Sequence, residues 1–266
     1  MSQRRVEDSG WTIHFTLTES AGLRLYLGDF KQRRVFWDCS LPFILIDHQR
    51  PDVGLDDPSA DPHGPWWFPI GTQTLTGDVR LGHFRGGFEL AADFEQGPYA
   101  FTQLWRFHEN GRMDPWLTIS GSGMHDNHVY HPHWRFDFDV DGAGGDSVEH
   151  WIEGGWQRVA EEGWLPSTGD RSPDGYVWRQ LDRRSKSSIS IRPPASEDAE
   201  LFALKAKPGE WPPFTPRAGL GHQTYPASYV GEEAIDGADV CLWYVAHVPW
   251  SSAFPATAGP WIKVAY

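Results

Sequence analysis

The sequence predicts an all-β protein, and three observations lead to this fold class. Tryptophan (15), phenylalanine (15), glycine (28) and proline (21) are all plentiful among the 266 residues. Short apolar and aromatic runs are separated by Gly, Pro, Asp and Asn, which is the pattern of short strands joined by turns. Long amphipathic helical repeats are absent from the sequence. Because no linker or internal repeat divides the chain, we predict one domain over residues 1–266.

The strands are predicted in two groups on either side of a long loop. The first group is a meander of four strands: Trp11–Leu17, Gly22–Leu27, Arg34–Trp37 and Leu41–Ile46. Residues 47–66 are rich in Pro, Asp and Gly, and loops of that length are often functional. The second group is Gln73–Leu81, Gly87–Phe94, Ala100–Phe107 and Trp116–Ser120, followed by two strands over 129–140. Irregular chain is predicted for 142–147, 165–176 and 205–235.

A hairpin is predicted at His108-Glu109-Asn110-Gly111. Asn-Gly between apolar runs is the strongest short hairpin signal, because both residues tolerate a positive φ. The turn should fold Phe101–Phe107 back onto Met113–Ile119. We therefore assign a structural role to this motif.

The charge and the cysteines limit the kinds of partner and compartment. Lys and Arg total 23 against 36 Asp and Glu, a net charge of −13. This charge argues against nucleic acid and anionic membranes as partners, and it favours a cationic small-molecule substrate such as an amine. The N-terminus lacks the apolar core of a signal peptide, and no segment is apolar enough to span a membrane, so a cytoplasmic protein is predicted. Cys39 and Cys241 are predicted to be buried thiols rather than a disulfide.

The most informative stretch is His131-Pro132-His133, at the start of a predicted strand. Side chains alternate along a strand, so the two imidazoles project from one face and can reach one metal ion. A third candidate ligand, His247, lies in another predicted strand. Three imidazoles suit copper or zinc better than calcium or magnesium.

Four segments, taken in order, resemble the catalytic domain of the copper amine oxidases. They are Gly22–Leu25 with Arg34–Pro42, Gly97–Phe101 with Trp105–Gly111, His131–Gly142, and Asp239–Trp243 with His247–Pro249. The resemblance implies a large β super-sandwich, a homodimer, and a copper ion held by His131, His133 and His247. The activity that it implies is oxidation of a primary amine by O2 to an aldehyde, ammonia and hydrogen peroxide.

The same resemblance implies a second set of site residues. Tyr99 matches the tyrosine from which that family makes its cofactor topaquinone. Asp137, Asp139 and Asp239 match the carboxylates that hold a peripheral calcium-type ion. For the catalytic base the nearest match is Asp52, with Asp61 as a substitute, and His48 stands where the family has a tyrosine that touches the quinone.

The residues around Tyr99 leave two other interpretations open. Pro98 and Ala100 stand where the family has Asn and an acidic residue, and Pro98 offers neither a backbone N–H nor an amide side chain. One alternative is therefore a copper-only oxidase or oxygenase with an unmodified Tyr99, and another is a non-catalytic metal-binding scaffold. His125 and His128, in a compressed stretch before the His pair, are further candidates for shaping the metal site.

Overall fold

The computed structural model describes residues 3–18, 22–48, 66–69, 74–75, 77–96, 99–121, 128–142, 144–195, 197–207, 229–249 and 255–266. The strands before residue 122 are β1 (Arg4–Asp8), β2 (Trp11–Thr18), β3 (Gly22–Phe30), β4 (Arg33–His48), β5 (Trp66–Pro69), β6 (Thr74–Leu75), β7 (Arg80–Phe84), β8 (Gly87–Gln96), β9 (Tyr99–His108) and β10 (Arg112–Gly121). The later strands are β11 (His128–Phe138), β12 (Asp146–Ile152), β13 (Gly155–Val159), β14 (Gly163–Pro166), β15 (Trp178–Asp182), β16 (Ser188–Arg192), β17 (Asp198–Lys205), β18 (Val240–Pro249), β19 (Ala256–Ala258) and β20 (Trp261–Ala265). Within the described ranges, no helix is long and apolar enough to cross a membrane.

The strands form two large antiparallel sheets. Among the described residues, sheet A has nine strands in the order β1-β2-β3-β4-β11-β18-β17-β14, with β5 added to β4. Sheet B has eleven strands in the same part of the chain, in the order β13-β12-β15-β16-β20-β10-β9-β8-β6, with β19 on β10 and β7 on β8. The all-β prediction is therefore confirmed.

The two sheets face each other across one aromatic core. Trp11 of sheet A meets Phe107 of sheet B with 5.2 Å between ring centroids. Trp105 of sheet B meets Phe136 of sheet A edge-on at 6.4 Å. These rings are all fully buried, as the alternation of apolar residues along their strands requires.

Strand β11 separates this core from a second apolar cluster on the other face of sheet A. Its residues Tyr130, Trp134 and Phe136 point into the core between the sheets. The residues between them point the opposite way, because strand side chains alternate. On that side lies the second cluster, which we call the outer cluster: Phe43, Phe202, Leu204, Cys241, Trp243 and Val245.

Most of the predicted strands are found, and in two places a pair of predicted strands is one continuous strand. Arg34–Trp37 and Leu41–Ile46 are parts of the single 16-residue strand β4, because β11 pairs with both parts across a register shift. The two strands expected over 129–140 are likewise one strand, β11. The prediction of one strand over Gln73–Leu81 was wrong, since Gly77–Val79 form no strand between β6 and β7. There Asp78 accepts a hydrogen bond from the Val79 amide (2.7 Å), a local bond typical of turns.

The predicted hairpin and the predicted state of the cysteines are confirmed. Strands β9 and β10 pair from Phe101 opposite Ile119 to Phe107 opposite Met113, and Gly111 in the turn has φ +84°. Cys39 and Cys241 are both buried free thiols.

Candidate metal centre

His131 and His247 meet across two neighbouring strands. In the pairing of β11 with β18, Tyr130 lies opposite Val248 and His133 opposite Val245, so His131 lies opposite His247. Their Nδ1 atoms are 2.6 Å apart, and the rings cross at 71° with 4.9 Å between centroids. Both side chains are only partly buried. The sequence-predicted partnership of these two residues is therefore present in the fold.

His133 shares the face of His131 but is directed differently. Its Nδ1 lies 2.6 Å from the carbonyl oxygen of His131, and a carbonyl only accepts hydrogen bonds. His133 Nδ1 therefore carries the proton, and Nε2 is the basic nitrogen of the neutral ring. The ring lies against Phe43 of the outer cluster, with 4.3 Å between centroids, and is 3 % exposed.

The structure brings together two of the three predicted metal ligands, His131 and His247. Two imidazole nitrogens that face each other on adjacent strands are donors of the type that copper and zinc take in proteins. Nowhere in the described part of the chain do three His, Cys, Asp or Glu side chains come close enough to hold one ion. His133 has the correct face and tautomer for a third ligand, but the structure does not bring it together with the other two.

Glu200 on β17 belongs to this centre and was missed in the sequence. Its Oε1 lies 3.7 Å from His247 Nε2, the ring nitrogen that faces away from His131. The indole N–H of Trp164 donates a hydrogen bond to the other carboxylate oxygen, Oε2. Burial raises the pKa of Glu200, and the nearby His247 and the Trp164 hydrogen bond oppose that rise. The only signal in the sequence was the alternation of Asp198-Ala199-Glu200-Leu201, which does not reveal the neighbouring strand.

Tyr99 lies on the other side of β11 from the histidines. It begins β9 in sheet B, and its ring meets that of Tyr130 edge-on at 6.4 Å. Tyr130 points into the core between the sheets, whereas its neighbour His131 points away from that core. Burial raises the pKa of the Tyr99 hydroxyl. By the alternation of side chains along β11, Tyr99 therefore lies on the side of that strand opposite His131.

The remaining candidates for catalysis and metal binding are only partly described. Asp52, Asp61 and His125 lie outside the described residues. The backbones of His48 and His128 are direct partners in the pairing of β4 with β11. This pairing places both positions on the strand segment that leads to His131.

Of the three predicted calcium carboxylates, Asp137 and Asp239 lie near Arg135, and Asp139 lies near Arg34. Arg135 pairs with Asp137 at 3.3 Å. Burial raises the pKa of Asp137 to about 6; Arg135 opposes the rise, and Asp239 adds to it. One oxygen of Asp139, Oδ1, is buried without a hydrogen-bond partner, which suits a cation. Asp137, Asp139 and Asp239 are thus electrostatic neighbours, and their role as calcium ligands stays a prediction.

Comparison with known proteins finds similarity in structure alone. No protein-family profile and no curated protein sequence matches the chain. A copper-containing benzylamine oxidase from Hansenula polymorpha superposes with a TM-score of 0.65 at 13 % identity, covering 98 % of this chain and 59 % of its own. The chain has the fold of the copper amine oxidases. Pichia pastoris lysyl oxidase (TM-score 0.64, 14 % identity, 98 % and 51 % covered) and an Aspergillus nidulans amine oxidase (0.55, 12 %, 96 % and 50 %) agree.

This amine oxidase fold covers only part of those enzymes. The chain spans between half and three-fifths of the length of the oxidases that it matches. Identities of 12–14 % show the fold alone. The sandwich expected from the resemblance is confirmed, and the chemistry has to be argued from this chain's own residues.

Proposed function

We propose that this chain is a copper-dependent oxidoreductase whose metal is held by His131, His247 and His133. The observation that carries the proposal is the 2.6 Å approach of the His131 and His247 Nδ1 atoms across β11 and β18. Two unrelated surface histidines rarely present ring nitrogens to each other, whereas ligands of one ion must. The chain's fold, shared with copper-containing oxidases, supports copper over zinc.

The residues around the pair have separable tasks in this proposal. Bound copper would supply one-electron chemistry and an open position for a small molecule such as O2. His131 and His247 offer Nδ1, while the hydrogen bond from His133 Nδ1 to a backbone carbonyl reserves Nε2 of that ring for the metal. Phe43 and Trp243 of the outer cluster cover one side of this face with apolar surface, which keeps water away from it.

The first form of this function uses copper alone, with Tyr99 unmodified. The position of Tyr99 favours it, because its ring contacts Tyr130 on the opposite side of β11 from the histidines. A tyrosine that is oxidised by a neighbouring copper ion has to lie beside that ion. Pro98 and Ala100, next to Tyr99, also favour this form.

The second form is oxidation of a primary amine through topaquinone derived from Tyr99. In that reaction one amine, one O2 and one water give an aldehyde, ammonia and hydrogen peroxide. Its support is the fold, since the matched structures are a benzylamine oxidase, a lysyl oxidase and an amine oxidase. The net charge of −13 suits a cationic substrate. Asp52 as base and His48 beside the quinone belong to this form, and so does a homodimer.

Intact mass and a visible spectrum, recorded before and after Cu(II) is added in air, test both forms. One bound copper with no change in the mass of the chain supports the copper-only form. A gain of two oxygen atoms less two hydrogen atoms on the Tyr99 peptide, with a positive quinone stain, supports the amine oxidase form. Failure to bind copper in stoichiometric amount would overturn the proposal. If the protein binds copper but oxidises no amine, phenol or ascorbate, its role is that of a non-catalytic metal-binding scaffold.

Sedimentation at micromolar concentration tests the homodimer. A mass of twice 30.1 kDa is expected, and a monomer at all concentrations would contradict it. Adding Ca(II) to the same sample tests the carboxylates Asp137, Asp139 and Asp239, whose occupation should raise the melting temperature.

A further inference from the structure

His247 has a charged or polar neighbour at each of its two ring nitrogens. Nδ1 faces His131 Nδ1 at 2.6 Å, and Nε2 faces Glu200 Oε1 at 3.7 Å. An ionised carboxylate has no proton to donate and only accepts hydrogen bonds, so its negative charge favours an N–H on the nitrogen that it faces. This arrangement leaves the lone pair of the neutral ring on Nδ1, toward His131.

Glu200 is held in place by a hydrogen bond to the carboxylate oxygen that does not face His247. Trp164 on β14 donates its indole N–H to Oε2, which leaves Oε1 for His247. Strands β14, β17 and β18 are consecutive in sheet A, so the three side chains stand in a row on one face. The Glu200 side chain is 21 % exposed and that of Trp164 is largely exposed, so Trp164 shields the carboxylate from part of the solvent.

We propose that Glu200 is a positioning residue, which holds His247 as the tautomer with its proton on Nε2 and thereby directs Nδ1 to the metal. The proposal rests on the proposed metal site and adds a residue to it. A contact of 3.7 Å is longer than a hydrogen bond, so Glu200 acts by the field of its charge on the ring. Outer partners of this kind typically change metal affinity ten- to a hundredfold.

The tautomer can be measured without any metal. Long-range ¹H–¹⁵N spectra of the metal-free protein should show His247 protonated on Nε2. In Glu200→Gln the amide oxygen is needed by the Trp164 indole, so the amide NH2 group turns toward His247. His247 should then accept a hydrogen bond from this amide at Nε2 and carry its own proton on Nδ1, which is the opposite tautomer.

Copper affinity supplies the second readout, with a matched control. Glu200→Gln should weaken Cu(II) binding about ten- to a hundredfold in a competition titration and change the hyperfine splitting in the EPR spectrum. Glu89→Gln removes the same charge from a partly exposed ion pair with Arg106 on sheet B, and it should leave both values unchanged. Trp164→Phe keeps an aromatic ring and removes the N–H donor. Its copper affinity should lie between that of Glu200→Gln and that of the unchanged protein.

The outcomes separate the two proposals. If the unchanged protein binds no copper, the metal site fails, while the tautomer in the metal-free protein still tests Glu200. If it binds copper, an unaltered tautomer and unaltered affinity in Glu200→Gln overturn the role of Glu200. An equal loss of affinity in Glu89→Gln also overturns it, since net charge rather than position would then be the cause.

Discussion

The ring of Tyr99 meets the ring of Tyr130 edge-on, with 6.4 Å between their centroids. Because Tyr130 points into the core between the sheets, this contact puts Tyr99 on the side of β11 that His131 does not use. A one-residue difference in the register of β11 would reverse this relationship, since alternate residues lie on opposite faces. The separation of the tyrosine from the imidazoles is thus built into the pairing of the strands.

Tyr99→Phe is expected to keep Cu(II) affinity within about a factor of two of the unchanged protein, because the Tyr99 ring meets Tyr130, which points to the side of β11 opposite His131. Competition titration measures the affinity, and an assay of oxygen consumption measures turnover. Turnover that survives the change agrees with the copper-only form. A loss of turnover with normal copper content would instead favour the quinone.

His131→Ala should abolish stoichiometric copper binding, with a loss of more than about a hundredfold, since loss of an outer partner alone can reach that size. His83→Ala is the matched control, because His83 lies on β7 of sheet B with a side chain that is 61 % exposed. Metal analysis after gel filtration checks both variants. Copper retained by His131→Ala would refute the ligand assignment.

The pH dependence of stability should reveal Glu197, whose carboxylate is hydrogen-bonded to the fully buried Tyr244. Its two oxygens accept hydrogen bonds from the Tyr244 hydroxyl and from the Gly259 amide (3.0 Å). Burial raises the pKa of Glu197 from 4.5 to about 7. The folded chain therefore holds this proton more tightly than the unfolded chain does, so the resulting stabilisation is complete below pH 4.5 and is lost as pH rises through 7.

This loss amounts to about 3 kcal/mol of unfolding free energy between pH 4.5 and pH 8. Urea unfolding at both pH values measures it. Glu197→Gln cannot ionise, so the difference between the two pH values should shrink by most of that amount. Asp146, whose pKa burial raises to about 7, contributes a remainder of the same sign. An unchanged difference in the variant would mean that Glu197 does not titrate in this range.

Gly28→Ala should destabilise the fold by about 1–3 kcal/mol, the usual effect of overpacking a core. A Cβ atom at this position would overlap the ring of Phe36, which is fully buried opposite Gly28 in β4. Gly77→Ala is the control, since a Cβ there meets nothing within 4 Å. Thermal unfolding of both variants makes the comparison, and equal melting temperatures would contradict it.

The sequence predicted the fold class and the strands with clear alternation, because these depend on local pattern. The turn after His108 is an example: Gly111 takes the left-handed conformation, and its amide donates to the His108 carbonyl (2.9 Å), both of which depend only on residues within the turn. Strand β4 was divided in two because the sequence of Asp38-Cys39-Ser40 does not show that β11 pairs along its whole length. Local sequence does not reveal which distant strand supplies hydrogen bonds.

In the candidate site too, features that depend on local sequence were predicted and those that depend on distant strands were not. The His-x-His spacing placed His131 and His133 on one strand, and His247 was expected on a second strand; β11 and β18 are those strands. Glu200 was missed because its approach to His247, which is 47 residues further along the chain, depends on the pairing of β17 with β18. The sequence also could not predict on which side of β11 Tyr99 lies, since this depends on how sheet B stacks on sheet A.

Strand β20 pairs with β10 on one side and β16 on the other, in the interior of sheet B. Until residues 261–265 have left the ribosome, sheet B consists of two separate pieces, β13-β12-β15-β16 and β10-β9-β8-β6. Each piece then exposes a strand edge with unpaired backbone groups, the kind of surface on which chains aggregate. Residues 193–260 are therefore synthesised after β16 while sheet B is still open, and holding chaperones are expected to matter most in that interval.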